Sequence, residues 1–129
     1  MDDLITSMSQ ITVELQEIQN FIEETMSEDP NEAVLRGNDL SVYMARTGKL
    51  LADAKYHRDK KLRSEIVSQI KEMVKLPPSV ATKFTDTLVE RESYLMNWAE
   101  RSNRSCTHQL EWCRTIISKA KAEMNAFNG

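Results

Sequence analysis

Apolar side chains recur at a helical period along most of the chain, and the longest such pattern runs from Ser79 to about Met124. Neither Gly nor Pro interrupts this pattern. The three-and-four spacing of its apolar stripe is followed by Val80, Phe84, Leu88, Leu95, Trp98, Trp112, Ile116 and Ala120. We therefore predict one helix over about residues 79–125, roughly 70 Å long at about 1.5 Å per residue. A helix of that length needs packing partners along all of it.

Two further helices are predicted before this one. A four-three alternation of apolar residues predicts a first helix over about residues 2–27 and is typical of a coiled-coil seam. That seam fits either the inner face of an ordinary bundle helix or a self-associating zipper. With Ser27 or Asp29 as the N-cap and Pro30 in the first turn, a second helix is predicted over about residues 30–75.

The strongest break in the chain is the pair Pro77 and Pro78, which marks a reversal between the second and third helices. We predict an all-α fold in a single domain, residues 1–129. Its centre is a long, coiled-coil-like antiparallel hairpin. The shorter N-terminal helix packs on one end of this hairpin, and together they form an elongated three-helix bundle.

The hairpin also predicts which residues face one another. With its tip at about residue 77, Cys106 falls near Gly48 and Trp112 falls near Val42. Gly37 and Gly48 each cost a helix about 1 kcal/mol relative to Ala. We interpret them as places where another helix comes close, and a kink at either glycine is the alternative.

The first helix is too short to cover the half of the hairpin nearest the prolines. Two helices alone rarely bury enough surface to be stable. We therefore predict that another copy of the chain, giving a homo-oligomer, or a different protein covers this half. The residues predicted to form that interface are Leu62, Ile66, Ile70, Phe84, Leu88 and Leu95.

The net charge of -3 hides an uneven distribution. Residues 1–35 hold nine acidic side chains and no Lys or Arg, whereas residues 55–75 hold seven basic and three acidic ones. Basic groups beside a tyrosine on a helix can contact phosphates and stack on a base. Nucleic-acid contact is thus an alternative function for Lys55, Tyr56, Arg58, Lys60, Lys61 and Arg63, and a solvated helix face is the simpler explanation.

Catalytic and metal-binding chemistry finds little support in the sequence. At about 100° per residue, His108 points roughly 160° away from Cys106, so Cys106, His108 and Cys113 cannot share one metal ion. The two cysteines lie seven residues apart on one predicted helix, roughly 10 Å, which is too far for a disulfide between them. No glycine-rich phosphate loop occurs. We expect no enzymatic activity, no cofactor, no metal and no small-molecule substrate.

Two polar residues lie on the seam of the third predicted helix, Ser102 and Gln109. A polar residue on such a seam fixes helix register or pairing at some cost in stability. We assign that role to Gln109.

Residues that bear on cellular location point to the cytoplasm. No window of about 18 apolar residues is present, which predicts no transmembrane helix. Asp2 and Asp3 give the start of the chain the wrong charge for a secretory signal. Two unpaired cysteines fit a reducing compartment. We predict a cytoplasmic protein without membrane contact.

Three segments carry a resemblance to a known group of proteins: residues 48–57, residues 94–98 and residues 106–112. They resemble small all-helical proteins encoded by bacteriophages and prophages of gut bacteria. That resemblance implies a phage setting, and hence the host-cell cytoplasm, but no activity. Two hypotheses follow: a structural or protein-interaction component that acts as an adaptor or in assembly, and an accessory nucleic-acid-binding protein in phage DNA replication or recombination.

Overall fold

The computed structural model describes residues 2–128, which form a short 3-10 turn and four α-helices. The turn spans Asp2–Leu4, and the helices are α1 (Met8–Ile22), α2 (Pro30–Met73), α3 (Pro78–Leu88) and α4 (Glu90–Asn128). No strand occurs in the described part of the chain, so the all-α prediction is confirmed. Both end residues of the predicted 1–129 domain lie outside the described residues.

The first helix is shorter at both ends than the sequence predicted. It begins at Met8 because the Ser7 hydroxyl caps it, accepting a hydrogen bond at 3.2 Å from the backbone N–H three residues later. It ends at Ile22, where Glu23 and Glu24 follow. Negative charges oppose the helix dipole at a C-terminus, so these two glutamates disfavour a further turn.

The second helix begins and ends close to the predicted positions. The Asp29 carboxylate accepts a hydrogen bond from the Asn31 N–H at 2.8 Å, and Pro30 occupies the first helical position. The helix then runs for 44 residues and ends at Met73, four residues before Pro77. Local capping chemistry therefore sets the start of α2.

The two glycines of α2 differ in their surroundings, and α2 continues through both of them. A Cβ atom at Gly37 would lie 3.6 Å from Leu110 Cδ1 and 3.9 Å from Cys113 Cβ, so α4 packs closely there. At Gly48 a Cβ atom would have no neighbour within 4 Å. The predicted close approach at Gly48 is therefore wrong.

The predicted single helix over residues 79–125 is also wrong, because Val89 separates α3 from α4. Val89 has φ -119° and ψ 27°, outside the helical region. Three threonines of α3 donate their hydroxyls to the carbonyl four residues earlier, a bond that bends and weakens helices. These threonines are Thr82, Thr85 and Thr87. Val89 itself is buried, so the break places an apolar side chain in the interior.

The core forms where α1 lies against the antiparallel pair of α2 and α4. The buried apolar side chains of this core are Ile11, Leu15, Ile18, Ala33, Leu40, Leu50, Ala54, Leu95, Ala99, Cys106, Cys113 and Ile116. We call the part that contains them, α1 with residues 30–54 and 89–117, the body. The part of the hairpin nearest its turn, residues 62–88, is called the distal arm.

The pairing of α2 with α4 is displaced by about one turn from the predicted register. The Asn103 amide donates to the Met44 carbonyl oxygen at 2.8 Å and to Thr47 Oγ1 at 3.0 Å. Trp112, which belongs to the predicted apolar stripe, is 46% exposed. The Trp98 indole N–H instead reaches α1, donating to Gln19 Oε1 at 3.1 Å.

Candidate interaction surfaces

A polar cluster fixes the C-terminal end of α1 to both long helices. Gln109 Nε2 donates to the Ile22 carbonyl oxygen at 2.9 Å, and Gln109 Oε1 accepts from Arg36 at 2.8 Å. The Arg36 guanidinium also donates to the Phe21 carbonyl at 3.1 Å and lies 4.5 Å from the centre of the Phe21 ring. These contacts satisfy carbonyl groups that a helix end leaves without partners. Gln109 and Arg36 therefore serve the fold.

A second polar cluster fixes the segment before α1 to α2. The Thr6 N–H donates to the buried Asp53 carboxylate at 2.9 Å, and Lys49 pairs with the same carboxylate. Burial alone would raise the pKa of Asp53, but the hydrogen bonds from Lys49 and Thr6 outweigh burial and hold this pKa below its usual value.

An ion pair between α1 and α2 completes this attachment. Arg46 of α2 donates two hydrogen bonds to the Glu14 carboxylate, both at 2.7 Å. The hydrogen bond from Arg46 lowers the pKa of Glu14, and the same bond raises the pKa of Arg46. Part of the acidic charge of the N-terminal region is thus neutralised by a basic side chain of the same molecule.

The distal arm has an exposed apolar surface. None of residues 62–88 is buried, and α3 contributes no buried side chain. Ile70 is 53% exposed and Val74 is 75% exposed, while Leu62, Ile66, Phe84 and Leu88 are half-buried. Leu95 differs from the other residues of the predicted interface. It is 3% exposed within the core of the body, so it is a correction to that prediction.

Charges of both signs are mixed along the distal arm. Its basic residues are Arg63, Lys71, Lys75 and Lys83, and its acidic residues are Glu65, Glu72 and Asp86. Four positive and three negative charges leave a net charge of +1. The arm therefore lacks the strong single-sign field that would favour a highly charged partner.

The six residues predicted as one nucleic-acid face do not lie on one face. At about 100° per residue, Arg58 and Lys60 point roughly 160° apart on α2. Arg58 lies 3.0 Å from the Asp59 carboxylate, and Lys61 lies 3.1 Å from the Glu92 carboxylate. The Lys60 ammonium lies 6.0 Å from the centre of the Tyr56 ring.

The other two members of the set, Lys55 and Arg63, are exposed. They lie about 80° apart on α2 at about 100° per residue, and neither lines the groove that Lys60 and Lys61 enter. The predicted basic face is therefore distributed around the helix.

An open groove of about 400 Å³ lies where α1 begins, and we call it the junction groove. It is lined by Met8, His57, Lys60, Lys61, Ser64, Arg91 and Glu92. His57 Nε2 lies 2.7 Å from the Thr6 carbonyl oxygen. Since a carbonyl oxygen can only accept, Nε2 carries the hydrogen. Sequence reasoning missed His57, Ser64 and Arg91, because only the pairing of α2 with α4 brings them together.

The two thiols and the exposed histidine do not form a common catalytic or metal-binding site. Cys106 and Cys113 are both free and buried, and burial raises the pKa of each thiol. His108 is exposed and lies 3.9 Å from the Glu111 carboxylate. Within residues 2–128 no three His, Cys, Asp or Glu side chains are grouped as a metal site requires.

Comparison of the chain with protein-family models, with curated proteins and with solved structures gives no match. Across the described helices, none combines the length and the apolar character needed to cross a bilayer.

Proposed function

We propose that this protein is a non-enzymatic assembly component that associates with a second copy of itself through the distal arm. One observation carries the proposal: none of residues 62–88 is buried, yet Val67, Ile70 and Val74 are more than half exposed and Leu62, Ile66, Phe84 and Leu88 are half-buried. A cluster of exposed apolar side chains is typical of an interaction site in proteins.

The length and charge of the arm favour a second copy as the occupant. Two helical arms packed together give a four-helix bundle, which is a stable way to cover two-helix units. An interface of ordinary size uses about 20 to 30 residues on each side, so most of residues 62–88 would take part in it. The mixed charges of the arm avoid the like-charge repulsion that would oppose pairing of identical surfaces.

The mass in solution tests this proposal. Light scattering coupled to gel filtration should give a mass that rises with concentration from 14.9 kDa toward twice that value. Ile70→Glu and Val74→Glu should each shift the protein to monomer, because a charge would be buried without a partner. Val42→Glu is the matched control, since Val42 is an exposed valine on the body. A wild-type protein that stays monomeric at all concentrations would overturn the proposal.

Loss of self-association in the Ile70→Glu variant must also be distinguished from misfolding of that variant. Circular dichroism of the Ile70→Glu variant should match that of wild type, because Ile70 is 53% exposed within one chain and lies outside its buried core. Association that persists equally in the Ile70→Glu and Val42→Glu variants would place the interface elsewhere and contradict the assignment to the arm.

We further propose a bacteriophage or prophage setting, with the host-cell cytoplasm as the location. The resemblance carried by residues 48–57, 94–98 and 106–112 supports it. Co-purification of the tagged protein with phage structural proteins from infected cells is the expected result, and co-purification with host proteins alone would contradict it.

A further inference from the structure

Building on the self-association through the distal arm given above, we propose that two arms lie antiparallel and that the tip of each enters a groove at the base of the other. The tip is residues 75–79. The groove, which we call the aromatic groove, consists of two adjoining cavities of about 530 and 350 Å³ that share Tyr94 and Asn97 as lining residues.

The rings of the aromatic groove are held in place within one chain. Tyr94 is 66% exposed, and its ring meets the Trp98 ring with centres 6.1 Å apart and planes tilted by 60°. The Trp98 indole N–H is bound to Gln19 Oε1 of α1, which restrains that ring. A preformed aromatic site loses little conformational freedom when a partner covers it. Aromatic-lined grooves are typical binding sites for segments that contain proline.

The tip of the arm presents a matching group, a pair of exposed prolines. Pro77 has φ -58° and ψ 149°, in the polyproline II region, and Pro78 begins α3. The proline ring already restricts the backbone, so docking it against an aromatic ring costs little entropy. The third proline of the chain, Pro30, begins α2 in the body. The tip is therefore the segment of this chain whose chemistry fits the aromatic groove.

The charge around the tip favours antiparallel arms over parallel ones. Residues 71–83 contain three lysines and one glutamate, a net charge of +2. Parallel arms would bring two such tips together, and like charges would then oppose the pairing. Lys75 can meet a new partner, because its contact with Glu72 spans 3.9 Å between two side chains that are each more than 70% exposed. Such an exposed pair contributes little.

The larger cavity of the aromatic groove offers carboxylates to that lysine. Asp86 and Glu90 line it, and the one basic residue among its lining residues, Arg58, lies 3.0 Å from the Asp59 carboxylate. Arg101 lines only the smaller cavity. A tip whose prolines cover the shared tyrosine ring would therefore direct its lysine toward the acidic side of the groove.

The length of the arm brings the tip to this groove. Residues 62–76 span roughly 21 Å at about 1.5 Å per residue. Two equal arms that overlap fully in antiparallel orientation place each tip beside the base of the other arm, where Leu88 ends α3. The larger cavity lies at that level, since Asp86 of α3 and Glu90 of α4 both line it. In a two-fold symmetric dimer the same contact forms twice.

Disulfide cross-linking of the full chain tests the arrangement. Ser79→Cys places a thiol at the tip, and Ser93→Cys places one in the larger cavity. Cys106 and Cys113 are buried, so they do not compete for the oxidant. We expect a mixture of the two variants to give a dimer that joins one chain of each kind. Ser79→Cys mixed with Ser41→Cys, at an exposed serine of the body, is the control and should give none.

Substitution of the exposed tyrosine tests the groove itself. Tyr94→Ala should raise the dissociation constant of the dimer about tenfold or more, as loss of a central aromatic contact does. Phe127→Ala is the matched control, because Phe127 is an exposed aromatic residue of the same helix that does not line the groove. Circular dichroism of Tyr94→Ala should match that of wild type, since most of this side chain is exposed within one chain.

The outcomes distinguish failure of the antiparallel arrangement from failure of self-association. A wild-type chain that stays monomeric at all concentrations would overturn both. A dimer in which Ser79→Cys couples only to itself, or equal association of Tyr94→Ala and Phe127→Ala, would overturn the arrangement and leave self-association through the arm intact. A monomeric chain that binds a synthetic peptide containing two adjacent prolines would assign the groove to a different protein and overturn the second copy as its occupant.

Discussion

At the residue scale, Gln109 shows how one polar side chain can join three helices. Its amide bonds to the last carbonyl of α1 and to Arg36 of α2 while its own backbone belongs to α4. Ser102, the other polar residue on the same seam, is buried but its hydroxyl has no hydrogen-bond partner. A seam position alone therefore does not determine which polar residue fixes the register.

Replacing Gln109 should be costly for stability. Gln109→Leu leaves the Ile22 carbonyl and part of the Arg36 guanidinium without partners, and we expect a loss of about 2–3 kcal/mol in the free energy of unfolding. Urea denaturation followed by circular dichroism measures it. The control is His108→Leu, at an exposed neighbouring position, with an expected change within about 0.5 kcal/mol. Equal stability of the two variants would contradict this role.

At the element scale, local chemistry made some boundaries predictable and left others hidden. Asp29 and Pro30 carry their own start signal, so the beginning of α2 could be predicted from the sequence. No glycine or proline marks Val89. The break there depends on threonine hydroxyls that turn back to their own helix and on the burial of Val89, neither of which apolar periodicity records.

The candidate surfaces were predictable to a similar degree. Ile70 and Val74 belong to a segment that the short first helix could not reach, so their exposure followed from helix lengths alone. The basic residues between Lys55 and Arg63 are close in sequence, but neighbours in sequence point to different sides of a helix. Arg91 joins Lys60 only through the register of the hairpin, which the sequence placed about one turn away.

Lowering the pH should weaken the attachment of α1 to α2 before the long helices unfold. The pKa values of Asp53 and Glu14 are lowered in the folded state, so both carboxylates contribute stability above their unfolded pKa of about 4. That contribution is lost as the pH falls through the lower folded values. Trp98 fluorescence during acid titration reports the change, because its indole contacts Gln19 of α1.

The Asp53→Asn variant provides the comparison for this titration. Its stability should be lower at neutral pH and should depend less on pH below about 4, since one linked carboxylate is gone. Asp86→Asn, at an exposed position in the arm, should keep the wild-type acid profile. An unchanged acid profile for Asp53→Asn would show that Asp53 does not contribute to acid sensitivity.

At the scale of the whole molecule, the body and the distal arm differ in how firmly they are packed. The body contains every buried side chain within residues 2–128 for which burial is described, and the arm contains none. Regions with few buried apolar contacts open locally at low free-energy cost. The same chain therefore combines a stable unit with an adaptable one.

Hydrogen exchange should make this difference visible. At low protein concentration we expect backbone amides of α3 to exchange much faster than those of α4 between Leu95 and Cys113, because opening of α3 exposes little buried surface. Mass spectrometry of peptides from the two regions measures the ratio. Raising the concentration should slow exchange in α3 if two arms pair, and uniform protection at low concentration would contradict the division.

The weakly packed hairpin tip has a consequence for the order in which the chain folds. A helical hairpin can usually form outward from its turn, because its earliest contacts close short loops at little entropic cost. Here no turn-proximal residue is fully buried, and a contact inside the body such as Thr47 with Asn103 joins residues 56 apart in sequence. The entropic cost of closing this long loop must therefore be met before the stabilising contacts inside the body can form. The protein should fold by collapse of distant segments, with the arm ordering last and more slowly than its helical content alone would suggest.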